Sequence, residues 1–130
     1  MANQMLRDLA VVSLFGALLV ASAARAETKI VAAGGVLRLG HFTSANPDCT
    51  LSGSTVVRVT DAPTHGALKM KNERAFSYFG NNQSCNARRV DGVTVEYLPQ
   101  RGFVGTDIVG LDVIYAGGYE WKNKYNIAVK

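Results

Sequence analysis

Two cysteines, two histidines, three prolines and a single tryptophan in 130 residues leave little material for a reactive centre. A zinc site needs three or four clustered ligands, and His41 and His65 stand apart with no H-x-x-x-H or Cys/His group to complete them. Copper handling favours Met-rich or Met/His clusters, yet beyond residue 26 the only methionine is Met70. None of Ser44, Ser52, Ser54, Ser77 and Ser84 lies in a G-x-S-x-G elbow. The carboxylates Asp61, Glu73, Asp91, Glu96, Asp107 and Asp112 could be paired for glycoside work, but any small domain offers such sets. There is also no basic cluster with interleaved aromatics, so a nucleic-acid partner is not expected. Arg88-Arg89 is the only dibasic pair. With Asp91 two residues on, it fits a solvated loop better than a phosphate site. No cofactor or metal is expected, and an enzyme is the weaker class.

The one long apolar run lies at the N-terminus. Arg7 supplies a positive start, Leu9 to Val20 is almost uninterrupted, and Ala24 and Ala26 make an A-x-A-like cleavage site before Glu27. That is the layout of a cleavable secretory signal peptide over residues 1–26. The run falls short of the about 20 apolar residues of a membrane span, and no cysteine at the cleavage site offers a lipid attachment point. Residues 27–130 then form a 104-residue domain with 12 basic and 9 acidic side chains. Its small positive excess favours solubility. The periplasm or the exterior is the expected address, with no membrane span after cleavage.

Export changes the meaning of Cys49 and Cys85. Oxidising compartments form and keep disulfides, the count is even with no thiol left over, and the spacing is far from the C-x-x-C of redox enzymes. A Cys49–Cys85 bridge between two turn-rich segments is expected, stabilising the fold by roughly 3–4 kcal/mol on the chain-entropy model.

Alternation of apolar and polar residues dominates from residue 29 onward, and no stretch keeps a helical period. Strands are expected over Lys29 to Ala33, Val36 to Phe42 and Thr55 to Thr60, and around Leu68/Met70, Phe76/Tyr78, Val93–Tyr97, Val109–Tyr115 and Tyr125–Val129. Gly92, Gly102, Gly105 and Gly117-Gly118 fall between the runs. Seven or eight short strands, each with one polar face, describe an all-β, antiparallel sandwich of about seven strands, preceded by the signal-peptide helix.

Within that pattern, Pro63-Thr64-His65-Gly66-Ala67-Leu68, Val95-Glu96-Tyr97-Leu98-Pro99 and Gly102-Phe103-Val104-Gly105-Thr106-Asp107 resemble the bacterial Ig-like or cadherin-like repeat, over roughly residues 55–130. The resemblance implies an Ig-like sandwich in which Pro63, Gly66, Tyr97, Pro99, Gly102, Phe103, Gly105 and Asp107 are structural. Phe103 would plug one end of the sandwich, and Asp107 would cap a turn by accepting backbone N–H bonds. Ala116-Gly117-Gly118 stands where many such repeats place an Asp, which argues against their calcium contacts. Repeats of this kind transfer fold and not function.

The aromatics are the most suggestive remaining group. Tyr119, Trp121 and Tyr125 share one parity and hence one face of a strand. Trp121 is expected in the core, Tyr119 is open to either reading, and Tyr119, Arg88 and Arg89 make up a candidate binding surface. The favoured function is an exported, non-catalytic interaction module that contacts a protein or envelope polymer through loops near the disulfide. A small inhibitor of an envelope-directed hydrolase is the alternative. A small metal-binding protein or hydrolase using His41 and His65 comes third.

Overall fold

The computed structural model describes residues 16–17, 26–80 and 84–130. The expected leader, apart from Gly16, Ala17 and Ala26, lies outside the described residues. Among those residues no helix is long and apolar enough to cross a membrane.

Among the described residues nine strands follow one another: β1 (Ala26–Val31), β2 (Leu37–Phe42), β3 (Ser44–Ala45), β4 (Leu51–Gly53), β5 (Val56–Asp61), β6 (Gly66–Phe76), β7 (Arg89–Pro99), β8 (Gly105–Ile114) and β9 (Glu120–Val129). The only helical segment among the described residues is a 3-10 turn at Ser84–Ala87. Seven strands build the sandwich, four in the order β1-β9-β8-β5 and three in the order β2-β7-β6, while β3 and β4 form a small separate hairpin. The first strand, β1, joins the four-stranded sheet beside β9 and not the three-stranded sheet beside β2. The all-β sandwich expected from the alternation is therefore present. Its one parallel pairing is at an edge, where β1 runs alongside β9 from Ala26↔Lys124 to Val31↔Val129. The chain then turns at Ala32–Gly35, where the Ala33 amide donates to the Lys130 carbonyl at 2.7 Å and ties this turn to the C-terminal end.

Two runs around Leu68/Met70 and Phe76/Tyr78 turn out to be a single eleven-residue strand, β6, paired with β7 from Gly66↔Pro99 to Phe76↔Arg89. The polar stretch Asn72–Arg74 hides this continuity, because ladder hydrogen bonds need no apolar side chain. Tyr78 lies beyond the strand's end.

The core is the meeting of the two inner faces. Val31, Leu39, Phe42, Val95, Tyr97, Val109, Leu111, Val113, Tyr125, Ile127 and Val129 are buried together. Tyr97 and Tyr125 are its large aromatics. Trp121, expected in the core, is only half-buried and packs on the core's margin, its ring centroid 5.8 Å from that of Phe42.

Candidate functional site

The motif residues account for one end of the sandwich, and their role there is structural. Asp107 is buried, and its carboxylate accepts bonds from the amides of Thr64 (3.0 Å), His65 (2.9 Å) and Ile108 (2.9 Å) and from the Tyr97 hydroxyl (2.8 Å). Burial pushes this carboxyl up, but those donors outweigh burial and hold it below the ordinary aspartate value. Burial and the same carboxylate push the Tyr97 phenol well above its own ordinary value. Gly66 has no alternative here, since a Cβ would stand 2.5 Å from the Tyr97 ring and 2.6 Å from the Leu98 carbonyl. Gly102 and Gly105 adopt φ of +78° and +147°, which side chains disfavour. Phe103 is half-buried against the core and stacks under the exposed ring of His65 at 4.3 Å.

The Cys49–Cys85 disulfide is formed, with the Cα atoms 5.4 Å apart. Cys49 sits in the tight β3–β4 loop, where the amide and hydroxyl of Thr50 hold the Asp48 carboxylate at 3.0 and 2.5 Å. Cys85 sits in the 3-10 turn. The next residue, Asn86, accepts from the Phe79 amide at 2.8 Å and donates to the Gly80 carbonyl at 2.6 Å. The bridge thus anchors the segment Ser77–Gly80 that follows β6.

That segment forms one wall of a groove of about 980 Å³, at the upper end of the range for ligand pockets. Phe76, Tyr78, Phe79 and Phe42 of β2 line one side. Tyr115 and Tyr119 from the β8–β9 turn, with Trp121 and Tyr125 of β9, line the other. Eight of the ten aromatic side chains in residues 27–130 therefore converge on one cleft. Three stand at the surface, with Tyr78 75 % exposed, Tyr119 66 % and Phe76 50 %. The Tyr115 amide donates to the Tyr119 carbonyl at 2.8 Å and the two rings stack at 5.9 Å, so the turn presents them as a pair. Burial pushes the phenols of Tyr115 and Tyr125 up.

Several polar groups in the groove have partners within the protein, while the buried Nδ1 of His41 has none among the described residues. Lys29 pairs with Glu27 at 2.7 Å, Arg38 donates to the Phe76 carbonyl at 2.6 Å, and the Ser77 hydroxyl donates to the His41 carbonyl at 2.5 Å. His41 is buried in β2, its Nε2 at 3.1 Å from the Glu73 carbonyl.

The candidate surface residues divide. Tyr119 belongs to the groove. Arg89 is not in a solvated loop: it opens β7 and carries its guanidinium over the Phe76 ring, 5.6 Å from the centroid. Arg88 reaches the Asp48 carbonyl of the disulfide loop at 3.4 Å. His41 and His65 are not brought together, since one lies against Glu73 and the other on Phe103. Among the described residues no three His, Cys, Asp or Glu side chains are grouped to hold a metal. Sequence reading missed Phe42 and the Phe76–Phe79 wall. The signal was three aromatics within four residues, read there as strand alternation.

No family model matches the chain, and no curated protein matches it in sequence. Among solved structures, the solution structure of Amebosin resembles it with a TM-score of 0.41 and 14 % identity, over 79 % of this chain and 88 % of that one. A likeness this distant bears on neither fold family nor function.

Proposed function

We propose that this chain is an exported, non-catalytic binding module of the Ig-like or cadherin-like kind, acting in the periplasm or outside the cell. On this reading the aromatic groove takes an extended segment of a partner protein. The convergence of eight aromatics on one cleft carries the proposal. Tyrosine and tryptophan give large, rigid contact area at low entropic cost and are enriched where proteins meet. The Cys49–Cys85 bridge supports an oxidising compartment.

The groove's polar groups favour a peptide over a sugar. A glycan buries many hydroxyls, and each left without a partner costs about 1–3 kcal/mol. Here the ion pair Lys29–Glu27 and the bonds from Arg38 and Ser77 already engage several of the lining polar groups. Apolar and aromatic side chains need none of them.

The test is to pan a displayed library of short random peptides and a glycan array against the domain, then measure affinities for its Tyr119→Ala and Tyr78→Ala variants. Peptides with apolar or aromatic residues at alternate positions should be enriched. Each substitution should weaken binding about tenfold with an unchanged melting curve. Enrichment of glycans alone, or peptide binding indifferent to both substitutions, defeats the proposal.

A further inference from the structure

We infer that the segment taken up by the groove is acidic, and that an arginine cluster at the groove's mouth recognises its carboxylates. This rests on the reading of the groove as a peptide site. Phe76 is the centre of the cluster. Arg38 donates to its carbonyl, Arg89 lies over its ring, and Arg74 donates to the Arg89 carbonyl at 3.3 Å. Arg88, next in the chain, bonds the Asp48 carbonyl. All four side chains belong to exposed residues.

What sets these arginines apart is the nature of their partners. Among the described residues, Lys29, Arg58, Lys71, Lys122 and Lys124 each form an ion pair with a carboxylate. Arg38, Arg74, Arg88 and Arg89 form none, as is true also of Lys69, Arg101 and Lys130. The contacts of the four arginines are backbone carbonyls and one aromatic ring, which orient a guanidinium without cancelling its charge. Glu96 stands opposite Arg38 and Asp91 opposite Arg74 in the ladders, and Glu73 and Glu96 pair with Lys71, but none of these acids, nor Asp48, closes an ion pair with an arginine of this group. Arg38 and Arg89 both bear on Phe76, like charges near one another repel, and an anionic partner relieves that repulsion. The guanidinium fork matches a carboxylate in bidentate fashion. Phe76 links the two features, because it lines the aromatic groove while lying beneath Arg89. A ligand that seats apolar side chains in the cleft thus brings its intervening residues against the arginines, and those residues are Asp or Glu.

The experiment uses the disulfide-bonded domain and end-capped, fluorescently labelled peptides with Phe or Tyr at alternate positions and Glu, Ser or Lys between them. Anisotropy is read at low and high salt. The Glu peptide should bind about tenfold tighter than the Ser peptide at low salt, with the Lys peptide weakest. High salt should erase that preference, as should Arg38→Gln/Arg89→Gln and, in part, Arg74→Gln, whereas Lys122→Gln should leave it intact. Equal binding of all three peptides overturns the acidic inference and leaves the groove reading standing. Failure of every peptide overturns both. Tighter binding of oligothymidylate or polygalacturonate, lost in the same arginine variants, replaces the protein segment with a polyanion and also overturns the inference.

Discussion

Asp107 shows how much one side chain can hold together. Its two oxygens gather the Pro63–Gly66 turn, the start of β8 and the Tyr97 hydroxyl of β7. Asp107→Ala strands several buried donors at once and should cost about 3–5 kcal/mol in urea unfolding. Tyr97→Phe removes a single donor and keeps the ring, so about 1–2 kcal/mol is expected. The pH dependence follows from the lowered carboxyl. An aspartate whose folded value lies below its unfolded one of about 3.9 stabilises fully above that value, and the contribution fades as pH falls through the folded value. Urea midpoints measured across the acid range should therefore drop below pH about 4 in the native chain. Asp107→Asn should flatten that limb; an unchanged acid limb would show that other carboxylates govern it. At this scale the sequence was legible. A buried Asp following a Gly-rich turn, and a Gly before a strand, each follow a local rule, although the close approach of the Tyr97 ring to Gly66 belongs to pairing across two strands.

Strands and turns were legible to a lesser degree. Alternation marked β7, β8 and β9 well, because one face of each is buried throughout. It failed at β6, where half the strand is polar on both faces, and at β1, whose first residues are exposed and take their conformation from the parallel ladder with β9. The disulfide was legible as a pairing, but what it supports was not, since Asn86 and the Phe79–Gly80 backbone meet only in the folded chain. The Cys49→Ala/Cys85→Ala double variant should lose about 2–4 kcal/mol. Its amide exchange should speed most at Phe79, Gly80 and the 3-10 turn, with the β8–β9 ladder keeping its protection relative to global unfolding. Asn86→Ala should reproduce the local loosening at a smaller cost of about 1–2 kcal/mol. Uniform acceleration across both sheets in the double variant would mean that the bridge secures the sandwich as a whole and not this wall.

At the scale of the whole molecule, the groove exists because the core does not fill the whole space between the sheets. Near Val31 and Val129 the inner faces close on each other, whereas toward Glu27 and Trp121 the lining of β1 and β9 faces open space. No window of sequence contains this site. Its walls come from β1, β2, the end of β6 and the segment after it, the β8–β9 turn and β9, so only the sandwich topology assembles it. The aromatics consequently fall along a gradient from core to mouth, and the gradient separates stability from binding. Tyr125, fully buried, should behave as a core residue, with Tyr125→Ala costing about 3–5 kcal/mol. Trp121, half-buried and packed on Phe42, should affect both properties, with Trp121→Ala losing about 2–3 kcal/mol of stability along with peptide affinity. Tyr119, two-thirds exposed, should affect affinity alone, with a change in unfolding free energy within about 0.5 kcal/mol. Measured by denaturant unfolding and peptide titration on the same samples, the three substitutions should order oppositely in the ratio of binding loss to stability loss. If Tyr119→Ala instead unfolds the domain, the mouth of the groove is part of the core and the cleft is not a preformed site.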